Sequence, residues 1–239
     1  MKPAIILVHG AYAESSSWNG VIQPLAADGH RVIAWANPLR GVAADAADLT
    51  DLVRSIEGPV VLAGHSYGGA VMTNVEPEAG DISALVYVGA FALEAGESPG
   101  EASALAPGST LAETLERVPL ADGGTDTYIA YDKFHHQFAA DVPDEQSALM
   151  AVTQRPITEA ALSEPSGDRP LWRSVPSWFI FGELDHNIPA GAHQIMAKRA
   201  GSRRTVEIAG ASHVVGVSHP AETARLVLEA ASAPAVAGG

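Results

Sequence analysis

Pro59-Val60-Val61-Leu62-Ala63-Gly64-His65-Ser66-Tyr67-Gly68-Gly69-Ala70 is an apolar run that stops at a glycine, presents a serine, and resumes with two more glycines. Continuous apolarity over Val60–Ala63 reads as a strand buried on both faces. Gly64-His65-Ser66-Tyr67-Gly68 fits G-x-S-x-G, the sharp strand-to-helix turn that lifts a serine hydroxyl above a sheet edge. The small residues after Ser66 let the following helix lie close to the strand. Gly96-Glu97-Ser98-Pro99-Gly100 fits the same five letters, but Pro99 lacks the N–H that an oxyanion needs from the residue after the nucleophile. Ser66 is therefore the candidate nucleophile. The plainer reading of such a serine is the N-cap of an ordinary helix.

Working outward, short apolar runs alternate with longer helical patterns. Ala4–Val8, Val32–Ala36, Val60–Ala63, Ala84–Ala90, Trp178–Phe181 and Thr205–Ile208 read as strands. Trp18–Ala27, Val42–Ile56, Val71–Val75, Ala190–Ala200 and Ala221–Ala231 read as helices. This alternation implies an α/β fold with a mostly parallel, doubly wound six-stranded sheet. It breaks between Ala92 and Leu171, where seven prolines, several short helical patterns and no convincing strand appear. A stretch of that length predicts a lid of small helices inserted after the fourth strand, since long bare loops are uncommon in compact domains. The expected division is a core of 1–91 and 172–239 with the insertion at 92–171. Ala230–Gly239, small and uncharged, reads as a frayed terminus.

The chain has 239 residues, 47% of them hydrophobic, enough for one domain with a real core. Its 28 acidic and 14 basic residues leave a net charge of −14, which repels phosphate backbones and anionic lipid surfaces. Nucleic acid and membrane are poor partners. Fourteen of the acidic and four of the basic residues lie between 92 and 171, so −10 of the charge belongs to the insertion. Beside the serine, such a field would disfavour anionic substrates. Zero cysteines exclude a thiol nucleophile and thiolate metal sites. Only five apolar residues, Ala4–Val8, follow Lys2, too few for a signal peptide, and a cytoplasmic monomer or homodimer is expected. No dinucleotide fingerprint or phosphate loop is present, and His135-His136 lacks a companion ligand set, so neither cofactor nor metal is expected.

A serine attacks well only when a base takes its proton and an acid orients that base. With chain order serine, acid, histidine, the acid should follow the strand Ser177–Phe181. Asp185 fits that place, ahead of Ile188-Pro189, with Glu183 as its competitor. His213 follows the strand Thr205–Ile208 and is the candidate base, whereas His219 abuts Pro220 and fits the entry of the last helix. Ala11, in the small-residue turn after the first strand, and Tyr67 are the candidate backbone donors of an oxyanion hole. Trp18, Phe91, Phe134, His135 and Phe138 are candidates for lining a substrate pocket, although aromatics at such spacing are more often core. Phe134 and Phe138, four apart, share one helical face. His9 and His65 read as structural or pocket-lining groups.

Taken together, His9-Gly10-Ala11, Trp18, Asn37-Pro38-Leu39-Arg40-Gly41, the Gly64–Gly69 elbow, Thr153-Gln154-Arg155-Pro156, Pro176-Ser177-Trp178 and Gly210-Ala211-Ser212-His213 resemble the α/β-hydrolases. The likeness is to the compact bacterial esterases related to plant methylesterases and hydroxynitrile lyases. It covers nearly the whole chain. It implies a serine carboxylesterase acting on small, neutral, hydrophobic esters through Ser66, Asp185 and His213, with Ala11 and Tyr67 as oxyanion donors. Lyase relatives typically carry threonine at the place of Gly10 and lysine at the place of Val214, and their absence favours hydrolysis. Lactonase, C–C hydrolase, perhydrolase or lyase-like activity on the same scaffold, or a slow-turnover ligand receptor, are the alternatives.

Overall fold

The computed structural model describes residues 1–234. The chain opens with β1 (Ala4–Val8), a short 3₁₀ turn and α1 (Asn19–Ala27), then β2 (Val32–Trp35), α2 (Val42–Arg54), β3 (Pro59–His65), α3 (Tyr67–Thr73) and β4 (Asp81–Val88). The segment 92–171 holds α4 (Pro99–Ser103), β5 (Leu115–Pro119), β6 (Thr125–Ile129), α5 (Tyr131–Phe138), α6 (Asp144–Thr153), β7 (Ile157–Thr158) and α7 (Glu159–Ser163). The chain then returns through β8 (Ser177–Gly182), α8 (Ala190–Arg199), β9 (Arg204–Ile208), α9 (Val215–Ser218) and α10 (Pro220–Ser232).

Six strands form one sheet in the order β2-β1-β3-β4-β8-β9, every neighbouring pair parallel. Alternate residues along a strand face opposite sides. Ile6, Val8, Leu62 and Tyr87 thus join the core under α2, α3 and α8, while Ile5, Leu7, Val61, Val86 and Trp178 pack against α1 and α10. Burial on both faces is why these strands are apolar throughout. Among the described residues no helix is long and apolar enough to cross a membrane. The terminus expected at 230–239 begins inside α10, and its last five positions lie outside the described residues.

Two expectations need correction. The elbow helix starts at Tyr67, not Val71, because Gly68 and Gly69 are helical here: close approach to β1 and β4 outweighs their poor intrinsic helix propensity. A Cβ on Gly68 would lie 2.3 Å from the Val8 carbonyl oxygen, and one on Gly69 would lie 2.7 Å from that of Phe91. Gly68→Ala should therefore lower stability by about 3 kcal/mol in urea unfolding; a loss under about 0.5 kcal/mol would mean the strand-helix contact can open.

The insertion, second, is not purely helical. β5, β6 and β7 form a separate antiparallel three-stranded sheet. Its hairpin turn was legible: Asp122-Gly123 sits at the bend, Gly123 has φ +87° and Asp122 Oδ1 accepts the Gly124 N–H at 2.9 Å. The exposed Pro119 stands on the edge strand, where its missing N–H is tolerated.

The insertion is fastened down. The Glu164 carboxylate accepts the N–H groups of Val42 (2.6 Å) and Ala43 (3.1 Å), capping the N-terminus of α2. Arg40 pairs with Asp126 at 2.7 Å, Arg199 with Glu97 and Arg173 with Glu94. The Trp172 indole donates to the Leu93 carbonyl at 2.8 Å, joining the two ends of the segment.

Candidate active site

Ser66 closes β3 with φ 51° and ψ −122°, a conformation that only an over-determined turn maintains. Its carbonyl oxygen accepts the N–H groups of Gly69 (2.9 Å) and Phe91 (3.2 Å). A Cβ on Gly64 would meet Gly68 backbone at 2.8 Å, and one on Gly10 would meet Ser66 Cβ at 2.6 Å. The turn is held by main chain that admits nothing larger. Ser98, the serine of the second motif, is the N-cap of α4 and forms a capping box with Glu101.

Asp185 is buried in the loop after β8. Its Oδ1 accepts the N–H groups of Asn187 (2.8 Å) and Ile188 (2.9 Å). Its Oδ2 lies 2.7 Å from His213 Nδ1 and 3.2 Å from His193 Nε2. Burial alone would raise its pKa. The His213 ring and the His193 hydrogen bond oppose it and hold the carboxyl well below the ordinary range, so it stays ionised. Glu183 instead faces outward and accepts the Gly210 N–H at 2.9 Å.

His213 is fully buried, and its Nε2 has no hydrogen-bond partner among the described residues. Its ring packs 4.8 Å from His65, the residue before Ser66, and 5.1 Å from Phe138. His65 Nε2 donates to the His213 carbonyl at 3.2 Å, fixing the histidine loop. Burial depresses the His65 pKa to about 3. His9 is also neutral, lowered by burial to about 4. Its Nε2 accepts the Asn37 N–H at 3.0 Å, so its Nδ1 carries the proton to the Gly10 carbonyl at 2.9 Å. That imidazole pins the turn carrying Ala11.

A cavity of about 170 Å³ is lined by Ser66, Ala11, Tyr67, Phe91 and Ile188 from the core and by Pro99, Leu111 and Leu162 from the insertion. Neither the Ala11 nor the Tyr67 N–H is taken up among the described loop and turn hydrogen bonds. Tyr12, beside Ala11, holds φ 59° and hydrogen-bonds Thr127 through its hydroxyl at 3.0 Å. Its N–H donates to the Arg155 carbonyl at 3.1 Å, so the Gln154-Arg155-Pro156 stretch braces the turn.

Of the five aromatic and histidine candidates, only Phe91 lines this cavity. Phe138 packs against His213 and His65 instead, with Phe134 behind it at 5.0 Å. Trp18 lies on the opposite face of the sheet, in the core with Leu7 and Val86. His135 turns to the Val142 carbonyl (3.0 Å) and Asp144 (3.3 Å). Equal hydrophobicity conceals which face of which element an aromatic joins. Missed altogether were His193 and Asn187, since nothing in Ala190-Gly191-Ala192-His193 announces that the loop before it folds back on Asp185. No group of three or more potential metal ligands occurs among the described residues.

The acidic residues of the insertion are absent from the cavity wall. Those at Glu94, Glu97, Asp126 and Glu164 are engaged in the fastenings described above. Any effect of the insertion's charge on a bound ester therefore acts from beyond the cavity wall.

The sequence profile of the alpha/beta hydrolase family matches residues 5–226. Methylesterase 2 of Arabidopsis thaliana is 28% identical over 217 residues, covering 81% of this chain and 82% of that protein. The pyrethroid hydrolase of Sphingobium wenxiniae is 25% identical over 251 residues, covering 97% and 88%. The crystal structure of polyneuridine aldehyde esterase superposes with a TM-score of 0.79 at 20% identity, over 96% of this chain and 99% of that one.

Proposed function

Because the chain belongs to the alpha/beta hydrolase family, we propose that it is a serine carboxylesterase for small, neutral, hydrophobic esters, with Ser66 as nucleophile, His213 as base and Asp185 as the acid that orients it. One observation carries the reading: the histidine bound to a buried, ionised Asp185 at 2.7 Å keeps its other ring nitrogen unpartnered. The esterase names of similar proteins support the reaction class.

In the reaction, His213 Nε2 takes the Ser66 proton as Oγ bonds to the ester carbonyl carbon, and the carbonyl π electrons move to oxygen. The Ala11 and Tyr67 N–H groups receive that oxyanion. As it collapses, the carbon–alkoxy bond breaks and His213 returns the proton to the departing alcohol. Water, deprotonated by His213, then attacks the acyl-enzyme; the acid leaves and Ser66 regains its proton. Asp185 stays ionised and stabilises the imidazolium throughout.

The insertion acts as a lid by contributing Pro99, Leu111 and Leu162 to the walls. Val214, 2% exposed, sits in the apolar core beside His213, which supports hydrolysis over cyanohydrin cleavage, where a cation would be wanted. A fluorophosphonate should label the protein rapidly and stoichiometrically, with the adduct mapping to Ser66 by mass spectrometry. Labelling elsewhere, or none, overturns the reading and favours a ligand receptor.

An apolar wall without carboxylates rejects anionic esters by desolvation rather than by a long-range field. An ester with a carboxylate in the group that enters the cavity should show kcat/KM about 100-fold below its neutral isostere. Raising salt from 0.02 to 0.5 M (about a fivefold drop in screening length) should leave that gap in place. A gap that closes with salt would return the discrimination to the surface charges.

A further inference from the structure

The cavity beside Ser66 contains one side-chain donor that the reaction does not use. Asn187, two residues past Asp185, is only 4% exposed and lines the cavity. Its amide orientation is set from outside. Gln137 Nε2 donates to the His186 carbonyl at 3.0 Å, so that nitrogen is the donor end of Gln137; the same nitrogen lies 2.7 Å from the Asn187 side chain, which must meet it with Oδ1. The opposite end of Gln137 accepts the Thr110 hydroxyl at 2.8 Å, consistent with that assignment. The Asn187 NH₂ is therefore the free end of the amide, and it has no acceptor among the described residues.

The other polar side chains of the cavity are already committed. Ser109 donates to the Asn187 carbonyl (2.9 Å) and Ser103 to that of Gly100 (2.8 Å). The Tyr67 hydroxyl donates to Asp45 at 2.9 Å, and that of Tyr12 is paired with Thr127 at 3.0 Å. Ser66 is the nucleophile. A donor on a largely apolar wall gives up its hydrogen bond to water when a hydrocarbon chain fills the cavity, and an oxygen-bearing substrate can supply the acceptor instead.

We propose that Asn187 Nδ2 reads a neutral acceptor oxygen, ether or carbonyl, in the chain of the ester that fills this cavity, so that the preferred substrates are oxygen-bearing esters rather than plain alkyl ones. The inference rests on the Ser66 reading of the previous subsection. It makes Asn187 a specificity-determining residue, with Gln137 and Thr110 as the residues that hold its orientation. A pure hydrocarbon chain would fill the same volume and leave the amide unpaired.

Isosteric pairs test it: p-nitrophenyl 3-methoxypropanoate against pentanoate for the acyl side, and 2-methoxyethyl acetate against butyl acetate for the alcohol side. Rates are divided by those of hydroxide to remove intrinsic reactivity. In one pair the ether should be favoured about tenfold in kcat/KM, the effect of one buried hydrogen bond made or left unmade. In Asn187→Leu, of the same branched shape but larger, the preference should vanish or invert. Asn187→Ala serves if the leucine variant does not fold, and fluorophosphonate labelling of Ser66 certifies each variant. Ratios near one in both wild-type pairs, or a preference that survives loss of the amide with Ser66 still labelled, overturn the role of Asn187 alone. Absence of labelling at Ser66 in the wild type overturns the reading beneath it and this one with it.

Discussion

Ser66→Ala is expected to lower kcat for p-nitrophenyl esters by on the order of 10⁴ or more, with little change in folding stability. The side chain is small and nearly buried, and the turn is held through its carbonyl and the glycines around it, so the loss is chemical. What remains should be the modest acceleration of an oxyanion hole acting on a bound ester with water as nucleophile. Retention of more than about one tenth of the activity, in a preparation free of contaminating esterase, would remove Ser66 from the mechanism.

Acid should destabilise the protein before its carboxylates titrate. His9 and His65 are held neutral by burial, with pKa values near 4 and 3 against an ordinary 6.5. The sign follows from proton counts. Below pH 6.5 the unfolded chain protonates both imidazoles while the folded chain does not, so stability is full above that value and falls as pH drops toward 4. Between pH 7 and 5 each group should remove about 2 kcal/mol, the slope approaching about 1.4 kcal/mol per pH unit for each. Burial lowers His193 too, in the same direction. Asp185 acts in a different window: its depressed value stabilises above the ordinary carboxyl range and is lost only below it. Urea unfolding at pH 7, 6 and 5 measures the effect, and His65→Asn should reduce the slope by one proton. A stability constant to within about 1 kcal/mol over that range would contradict two neutral buried imidazoles.

The sheet, the order of its helices and the elbow were legible because each leaves a periodic or positional trace. Apolar runs of β1, β3, β4 and β8 mark strands covered on both faces, and strand ends place Asp185 and His213 by chain order. Features set by three-dimensional packing left weaker marks. The β5–β6 hairpin had its Asp122-Gly123 signal, masked by exposed strands that lack apolar runs. Phe134 and Phe138 share a helical face as their spacing requires, yet Phe138 packs against His65 and His213 with Phe134 behind it, away from the cavity. His193 and Asn187 depend on how one loop folds back between β8 and α8, which no local pattern encodes.

The Ser66 turn and the cavity walls differ in what they tolerate. Gly10, Gly64 and Gly68 are confined by backbone or by Ser66 itself, at separations of 2.3 to 2.8 Å, so the reacting geometry is closed to variation. Pro99, Leu111 and Leu162 come from a separate segment and line the cavity. A lineage of such proteins can therefore exchange substrates by drifting in the insertion while the nucleophile turn stays frozen. In a library randomised at those three positions, variants should diverge in ester preference while keeping the Ser66 label.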